Sequence, residues 1–374
     1  MSVARTEMTT LRDVAERAGV SMATASRVAT GSAPVRAATR ERVERAMREL
    51  LYVPSGTART GAIGLLLPEL TNPIFPALAQ AMETQATKAG LATILCNFRG
   101  STVAETEYVQ MLLERRVDGM IFISSEAADL RADHGHYARL LGQGARIVFV
   151  NGAIDTLDVP HVGVDERAAG QVATQHLLDL GHERIGFVAG PDRFRPTREK
   201  AEGRLLALDA AGVDPDGLVV HAEFGVEGGR AAMRALLAKP NRPTGVICSS
   251  DLMAIGALRE VTAAGLRVPE DVSIVGFDGI EATTWTDPPL TTVEQPILEI
   301  ARTAVATLRN LISGPRRRDA GRPVPPPASR GRLDRLSLRW GQTPSGSDPR
   351  VKPARRATSA RPRVSRRPRA RPRP

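Results

Sequence analysis

Aromatic residues are scarce in this 374-residue chain, at 3% of the total: two Trp, three Tyr and eight Phe. Hydrophobic residues still reach 42%, so any core must be filled by aliphatic side chains and alanine. Cysteine is scarcer. Cys96 and Cys248 each sit in an apolar run, which reads as two buried reduced thiols and excludes a disulfide framework. No apolar run approaches the ~18 residues of a membrane span, so no membrane partner is expected. Met1 to Thr10 is polar and lacks the apolar segment of an export leader, which makes the cytoplasm the expected location. Short catalytic motifs are missing too. There is no Gly-x-Ser-x-Gly, no Walker phosphate loop, no His-Glu-x-x-His and no cluster at metal-ligand spacing. The chain is not read as an enzyme, and no catalytic residue, cofactor or metal is assigned.

What is abundant is positive charge, and it is unevenly spread. The formal net charge is +10, yet residues 313–374 alone carry +16, from 19 Lys and Arg against three Asp. Residues 1–60 carry +4, and residues 61–312 carry −10. An acidic body therefore lies between a basic head and a very basic tail. A chain this long fits two or three domains.

Leu11, Val14, Ala15 and Ala18 fall at i, i+3, i+4 and i+7, one buried stripe of a first helix. Thr10 is its expected N-cap, with Asp13 at capping-box distance. Gly19 supplies a tight turn and Ser21 can cap a second helix running through Val28. Two short helices around a Gly turn make a helix-turn-helix. A third helix, Ala37 to Leu51, presents Val43, Ala46, Met47 and Leu50 to pack beneath the pair.

From Ala62 the pattern changes. Apolar runs at 62–67, 92–96, 119–123, 146–150, 185–189, 245–248 and 272–277 alternate with amphipathic stretches. Such alternation means parallel sheets covered on both faces, here in two doubly wound lobes with a ligand cleft at the strands' carboxyl ends. After Ile312 the periodicity stops. Residues 313–374 are Arg- and Pro-rich and are expected to be largely disordered.

Thr10-Leu-Arg-Asp-Val-Ala-Glu-Arg-Ala-Gly-Val-Ser-Met-Ala-Thr-Ala-Ser-Arg-Val28 resembles the DNA-binding signature of the lactose-repressor (LacI/GalR) family. The family's order continues in Pro34-Val35, Tyr52-Val-Pro54, Thr71-Asn-Pro-Ile-Phe75, Arg116-Val-Asp-Gly119, Gly190-Pro191, Ser250-Asp251, Val275-Gly-Phe-Asp278 and Pro289-Leu-Thr-Thr-Val-Glu-Gln-Pro296. The resemblance implies an all-α head over 9–54 and a hinge over 55–61. It further implies a two-lobed, periplasmic-binding-protein-like α/β body over 62–312, with crossings near 164 and 291. The implied partners are double-stranded DNA bearing a palindromic operator, a small-molecule effector, commonly a sugar or nucleobase-like compound, and a second copy of the chain in a homodimer.

Site residues follow from the same resemblance. The second helix would lie in the major groove, with Met22 and Ala23 against thymine methyls and Arg27 bidentate to guanine. Ser21, Thr24 and Ser26 suit phosphates or the helix's own first turn, and Thr10 and Tyr52 complete the DNA-contacting set. For the effector, Phe75 suits stacking on a ligand ring or core packing. Asn151 and Asp278 end strands and suit hydroxyl recognition or turn chemistry. Asp165 follows the first crossing, and Ser250 joins the set. Where the family has Arg three residues before Gly203 this chain has Lys200, a point charge in place of a planar fork, with Arg198 as a substitute two residues earlier.

Two departures stand out. Tyr52 to Ile63 is about six residues shorter than the family's hinge and lacks its wedge-forming Leu, while Gly56 disfavours a helix. Residues 313–374 show no pattern for the family's final strands. Their composition fits either a GC-rich gene read out of frame or a genuine basic tail that binds phosphates non-specifically. Three further readings stay open beside the regulator. They are a solute-binding protein, a regulator weakened by its hinge, and an enzyme on the same fold.

Overall fold

In the computed structural model the described residues are 10–30, 32–50, 52, 61–98, 101–215, 217–314, 330–333 and 337–339, and they divide into two units at Gly61. In the first unit Thr10 caps α1 (Leu11–Ala18) reciprocally. The Asp13 N–H donates to Thr10 Oγ1 at 3.4 Å, and the Thr10 N–H donates to Asp13 Oδ2 at 2.7 Å. That backbone N–H does most to hold the Asp13 carboxyl below its usual range. Gly19, at φ 62°, turns the chain in the left-handed region that a side chain would resist. Helices α2 (Met22–Thr30) and α3 (Ala37–Glu49) follow. Val14, Ala15, Ala18, Ala25, Val43 and Ala46 are buried between the three, with Met47, Leu50 and Tyr52 packed around them. The expected stripes are present; α2 runs two residues beyond Val28 and α3 ends at Glu49, before Leu51.

The second unit holds two six-stranded sheets. The N-lobe comprises β1 (Gly61–Leu67), α4 (Ile74–Lys88), β2 (Leu91–Asn97), α5 (Thr102–Glu114), β3 (Gly119–Ile123), α6 (Gly135–Gly142), β4 (Ile147–Val150) and β5 (His161–Val164). The C-lobe comprises α7 (Glu166–Asp179), β6 (Ile185–Ala189), α8 (Arg195–Ala210), β7 (Val219–His221), α9 (Val226–Leu237), β8 (Gly245–Cys248), α10 (Asp251–Ala263), β9 (Ser273–Asp278) and β10 (Thr291–Glu294). Helix α11 (Ile297–Ser313) then returns to pack on α4 and the N-lobe strands. The inner strands β3, β4, β6 and β8 are buried at every residue, as parallel strands between helices must be. Each Leu or Ile in them contributes about 1.5–3 kcal/mol by burial.

The expected crossings near 164 and 291 are found at Asp165 and, slightly later, at Gln295–Pro296. A third crossing was not expected. β11 (Arg330–Leu333) pairs parallel to β5 at the edge of the N-lobe sheet, and β12 (Ser337–Arg339) pairs antiparallel to β10 at the edge of the C-lobe sheet. These strands correct the expectation of an unstructured tail for seven of its residues: backbone pairing at a sheet edge needs no apolar periodicity. Apart from Ser313 and Gly314 at the end of α11, the rest of the tail lies outside the described residues. So does the hinge, except Gly61, which opens β1.

Both cysteines are buried, and burial pushes the Cys96 thiol up to about 11 and the Cys248 thiol higher still, so neither is a reactive thiolate. His182 sits half-buried with its ring nitrogens 3.0 Å from Thr244 Oγ1 and 2.9 Å from Ser273 Oγ, a structural brace between the starts of β8 and β9. Among the described residues no helix is long and apolar enough to cross a membrane.

A chain stopped after residue 314 loses the edge strand of both sheets, whereas one stopped after residue 342 keeps them. The first truncation is expected to lower the thermal midpoint by roughly 10 °C or more, and the second to leave it within about 2 °C. Melting curves of the two truncated proteins beside the full chain check this.

Candidate functional site

Parallel strands deliver loop residues to one end of each sheet, and residues after β4 and β10 meet across the two lobes, Asn151 with Gln295. Asn151 follows β4 with φ 55°, and Asp278 ends β9 with φ 130°. Both backbones are of a kind that L-residues adopt only when the surroundings impose it. Gln295, at the second crossing, joins them. Asn151 Nδ2 donates to Gln295 Oε1 at 3.4 Å, and Gln295 Nε2 donates to Asp278 Oδ1 at 2.8 Å.

Lys200 is buried among these groups. Its Nζ forms an ion pair with Glu166 Oε2 at 2.5 Å and lies 3.7 Å from the centre of the Phe277 ring. Close helix packing makes this reach available. A Cβ on Gly203 would lie 1.9 Å from the Arg167 carbonyl oxygen, and one on Gly170 would lie 2.2 Å from that of Lys200, so only glycine lets α7 and α8 approach this far. Burial pushes the Glu166 carboxyl up, with Lys200 pulling against it. Burial, reinforced by the nearby Asp251 charge, holds Asp278 well above the usual carboxylate range despite Lys200 and the Gln295 bond.

Asp251, wholly buried, accepts from the Gly279 and Ile280 N–H groups at 2.7 and 2.8 Å and from Thr292 Oγ1 at 2.5 Å. It fixes the turn that presents Asp278.

Several side-chain polar atoms of the body are buried without a hydrogen-bond partner. They include Asn151 Oδ1, Arg195 Nε and Thr197 Oγ1, an acceptor, a donor and a hydroxyl at the strand and helix ends beside the cleft. Orphaned polar atoms are expensive, and a polar ligand is one way to complete their bonding. Among the described residues, no group of three or more His, Cys, Asp or Glu could hold a metal ion.

The expected effector residues are thus only partly gathered. Asn151, Lys200 and Asp278 are brought together. Asp165 and Ser250 serve as helix caps, accepting from Ala168 N–H at 3.0 Å and Met253 N–H at 3.3 Å. Arg198 is exposed and tied to Asp192, and Phe75 is half-buried against the main core. Glu166, Arg195, Thr197 and Gln295 were not among the expected residues. Gln295 lay within a quoted motif, but nothing in the local pattern marks the other three.

In the head, Ser21, Met22, Ala23 and Arg27 are exposed on and beside α2, while Thr24 and Ser26 are half-buried. Ser21 Oγ accepts from Thr24 N–H at 3.2 Å and lies 2.9 Å from Thr24 Oγ1, so this pair caps the helix. Thr10 is engaged in its capping box and Tyr52 packs on the head core.

Two stability measurements test the site. The folded chain raises the Asp278 carboxyl above the 3.8 of an ordinary Asp, so the native state binds the extra proton. Stability contributed by this group therefore falls as pH rises from about 4 through the raised value. Asp278→Asn is expected to raise the thermal midpoint at pH 7 by a few degrees, about 1 kcal/mol, with the gain shrinking as pH approaches 4; melts across that range check it. Thr197→Val removes an unpartnered buried hydroxyl at nearly constant volume and is expected to raise stability by about 1 kcal/mol in denaturant titration.

Comparison with known proteins places both units. Residues 10–55 match the family described as bacterial regulatory proteins, lacI family, and residues 174–331 match the periplasmic binding protein-like domain. A helix-turn-helix-type transcriptional regulator of the aml 5′ region of Streptomyces limosus is 46% identical over 305 residues, covering 80% of this chain and 86% of that protein. The transcriptional regulator CelR in complex with cellobiose is similar with a TM-score of 0.65 at 33% identity. The lac repressor dimer bound to operator and the anti-inducer ONPF is similar with a TM-score of 0.73 at 28% identity. Each of these two structures spans 89% of this chain and is itself 98% covered. By sequence along four-fifths of its length and by the fold of its body, this chain belongs to the LacI family of transcriptional regulators.

Proposed function

We propose that the chain is a homodimeric repressor whose grip on a palindromic operator is set by a small, neutral, hydroxyl-rich effector, a sugar, held between the lobes. The observation that carries the effector reading is the set of unpartnered atoms on Asn151, Arg195 and Thr197 above an acidic floor. Sugar hydroxyls donate and accept at once, and so suit a site that offers both. The buried carboxyls of Glu166 and Asp278 have one ammonium between them, that of Lys200, so the floor disfavours an anion. The cellobiose bound in the CelR structure is of the kind proposed. For the dimer the support is surface apolarity: Trp285 and Leu298 each stay 73% exposed. For DNA it is the exposed row Ser21, Met22, Ala23 and Arg27 on a +4 head.

The test is binding to the DNA flanking the chain's own gene against scrambled DNA, across a salt series, with and without a panel of neutral sugars that includes cellobiose. Selective binding, released by one of the sugars, is expected; equal affinity for both DNAs at every salt concentration overturns the operator reading. Arg27→Ala is expected to weaken selective binding by ~1–3 kcal/mol, roughly 5- to 150-fold, and to leave scrambled-DNA binding nearly unchanged.

A further inference from the structure

The mouth of the cleft carries a second set of cross-lobe contacts. On the N-lobe, a 3-10 turn (Glu126–Ala128) leads into Asp129, Leu130 and Arg131. On the C-lobe, residues 192–195 lead into α8. The Leu130 N–H donates to the Arg193 carbonyl at 2.8 Å, and Asp129 bridges Phe194 in antiparallel fashion. Three ion pairs join the same segments. Arg131 Nη2 lies 2.9 Å from Asp192 Oδ2, Arg193 Nε 3.1 Å from Asp129 Oδ2, and Arg195 Nη2 2.8 Å from Asp155 Oδ2.

Each C-lobe member of these pairs also has a counter-charge on its own lobe. Asp192 Oδ2 accepts from Arg198 Nη2 at 3.1 Å, Arg193 Nη1 is 4.0 Å from Glu223 Oε1, and Arg195 Nη1 is 3.9 Å from Glu199 Oε1. Separating the lobes would therefore strand no C-lobe charge. The two longer contacts would tighten as the cross-lobe ones are released, and Asp192 would keep Arg198. The N-lobe turn is held from behind, with His134 Nε2 at 2.9 and 3.1 Å from the Glu126 and Asp129 carbonyl oxygens.

We propose that residues 129–131 and 192–195, with Asp155, form an exchangeable ionic clasp across the cleft mouth, so that ionic strength sets how far the lobes stand open. Exposed ion pairs are individually weak and are screened by salt, with a Debye length that falls from about 10 Å at 0.1 M to about 3 Å at 1 M. Three pairs acting on one hinge make a small bias additive. Because every C-lobe charge has a substitute partner, screening shifts a balance between two states in which the C-lobe side of the clasp stays paired. The clasp's salt response is separate from that of DNA binding.

Both native cysteines are buried, so Glu107→Cys on α5 and Arg259→Cys on α10, both exposed, can carry spin labels selectively. Interlobe distances are read by pulsed electron resonance on the full chain, diluted with unlabelled chain to remove signals between protomers. Raising NaCl from about 0.1 M to about 1 M is expected to lengthen the label distance by several ångströms. Combined Asp129→Asn, Arg131→Gln and Asp155→Asn is expected to give the high-salt distance already at low salt, with no further response. Arg198→Gln, which removes a same-lobe substitute, is expected to act oppositely and hold the short distance to higher salt. An unchanged distance in the native background at both salts overturns the clasp, as does a salt response undiminished in the triple variant. Should the triple variant fail a melting test, the Arg198→Gln direction decides.

Discussion

The effector-binding end of the body rests on the buried carboxylate of Asp251. It stands at the start of α10 and takes the two N–H groups of the turn after β9 together with the hydroxyl of Thr292 on β10. One side chain thus ties a helix, a turn and a neighbouring strand. A Cβ on Gly276 would come within 2.2 Å of its Oδ1, so the strand beside it must carry glycine. The consequence appears at Asp278. Its backbone is held at φ 130°, and its carboxyl is raised by burial and by the charge of Asp251 itself. Asp251 fixes the geometry of the site and also makes Asp278 reluctant to ionise. A fully satisfied polar hub can impose strain on its neighbour because the interior offers no water to relax it.

The same logic explains Lys200. Where the family pattern places an Arg, this chain has a shorter-reaching ammonium, and Glu166 on the adjoining helix lies beside it. The two charges answer one another across a helix contact that Gly170 and Gly203 keep close. The lysine is consumed within its own lobe, which leaves Thr197, Arg195 and Asn151 as the atoms with bonding capacity to spare.

Much of this was legible in the chain. The head follows from a period of 3.6 with a cap at Thr10 and a turn at Gly19, signals that are local and additive. Seven strands follow from apolar runs that only a doubly covered sheet can hide. β5, β7 and β10 (Thr291-Thr-Val-Glu294, itself only partly buried) were not legible. His161-Val-Gly-Val164 and Val219-Val-His221 are too short to show a period, and their burial is partial. β11 and β12 are lost from view for a different reason. Arg330-Gly-Arg-Leu333 and Ser337-Leu-Arg339 are polar edge strands, recruited by backbone pairing to strands already formed. At the site, strand-end residues such as Asn151 and Asp278 could be read from motifs. The roles of Asp165 and Ser250 as caps could not be told from ligand contacts, because capping and ligand binding use the same side chains at the same helix ends. Glu166, Arg195 and Thr197 become visible only when two segments distant in sequence are brought together.

The placement of β11 and β12 bears on how the protein is made. Each lobe receives an edge strand from a stretch only ten residues long, which follows some three hundred others. During synthesis both sheets must wait, one strand short, until that stretch leaves the ribosome. Their completion is then nearly simultaneous, and the two lobes mature together where independent domains would finish in turn. A message cut short before this point yields a head able to form its three helices on a body with two open sheet edges. Such edges invite pairing with other chains. The feature that looks most dispensable in the sequence is therefore the one that tells a finished chain from a truncated one.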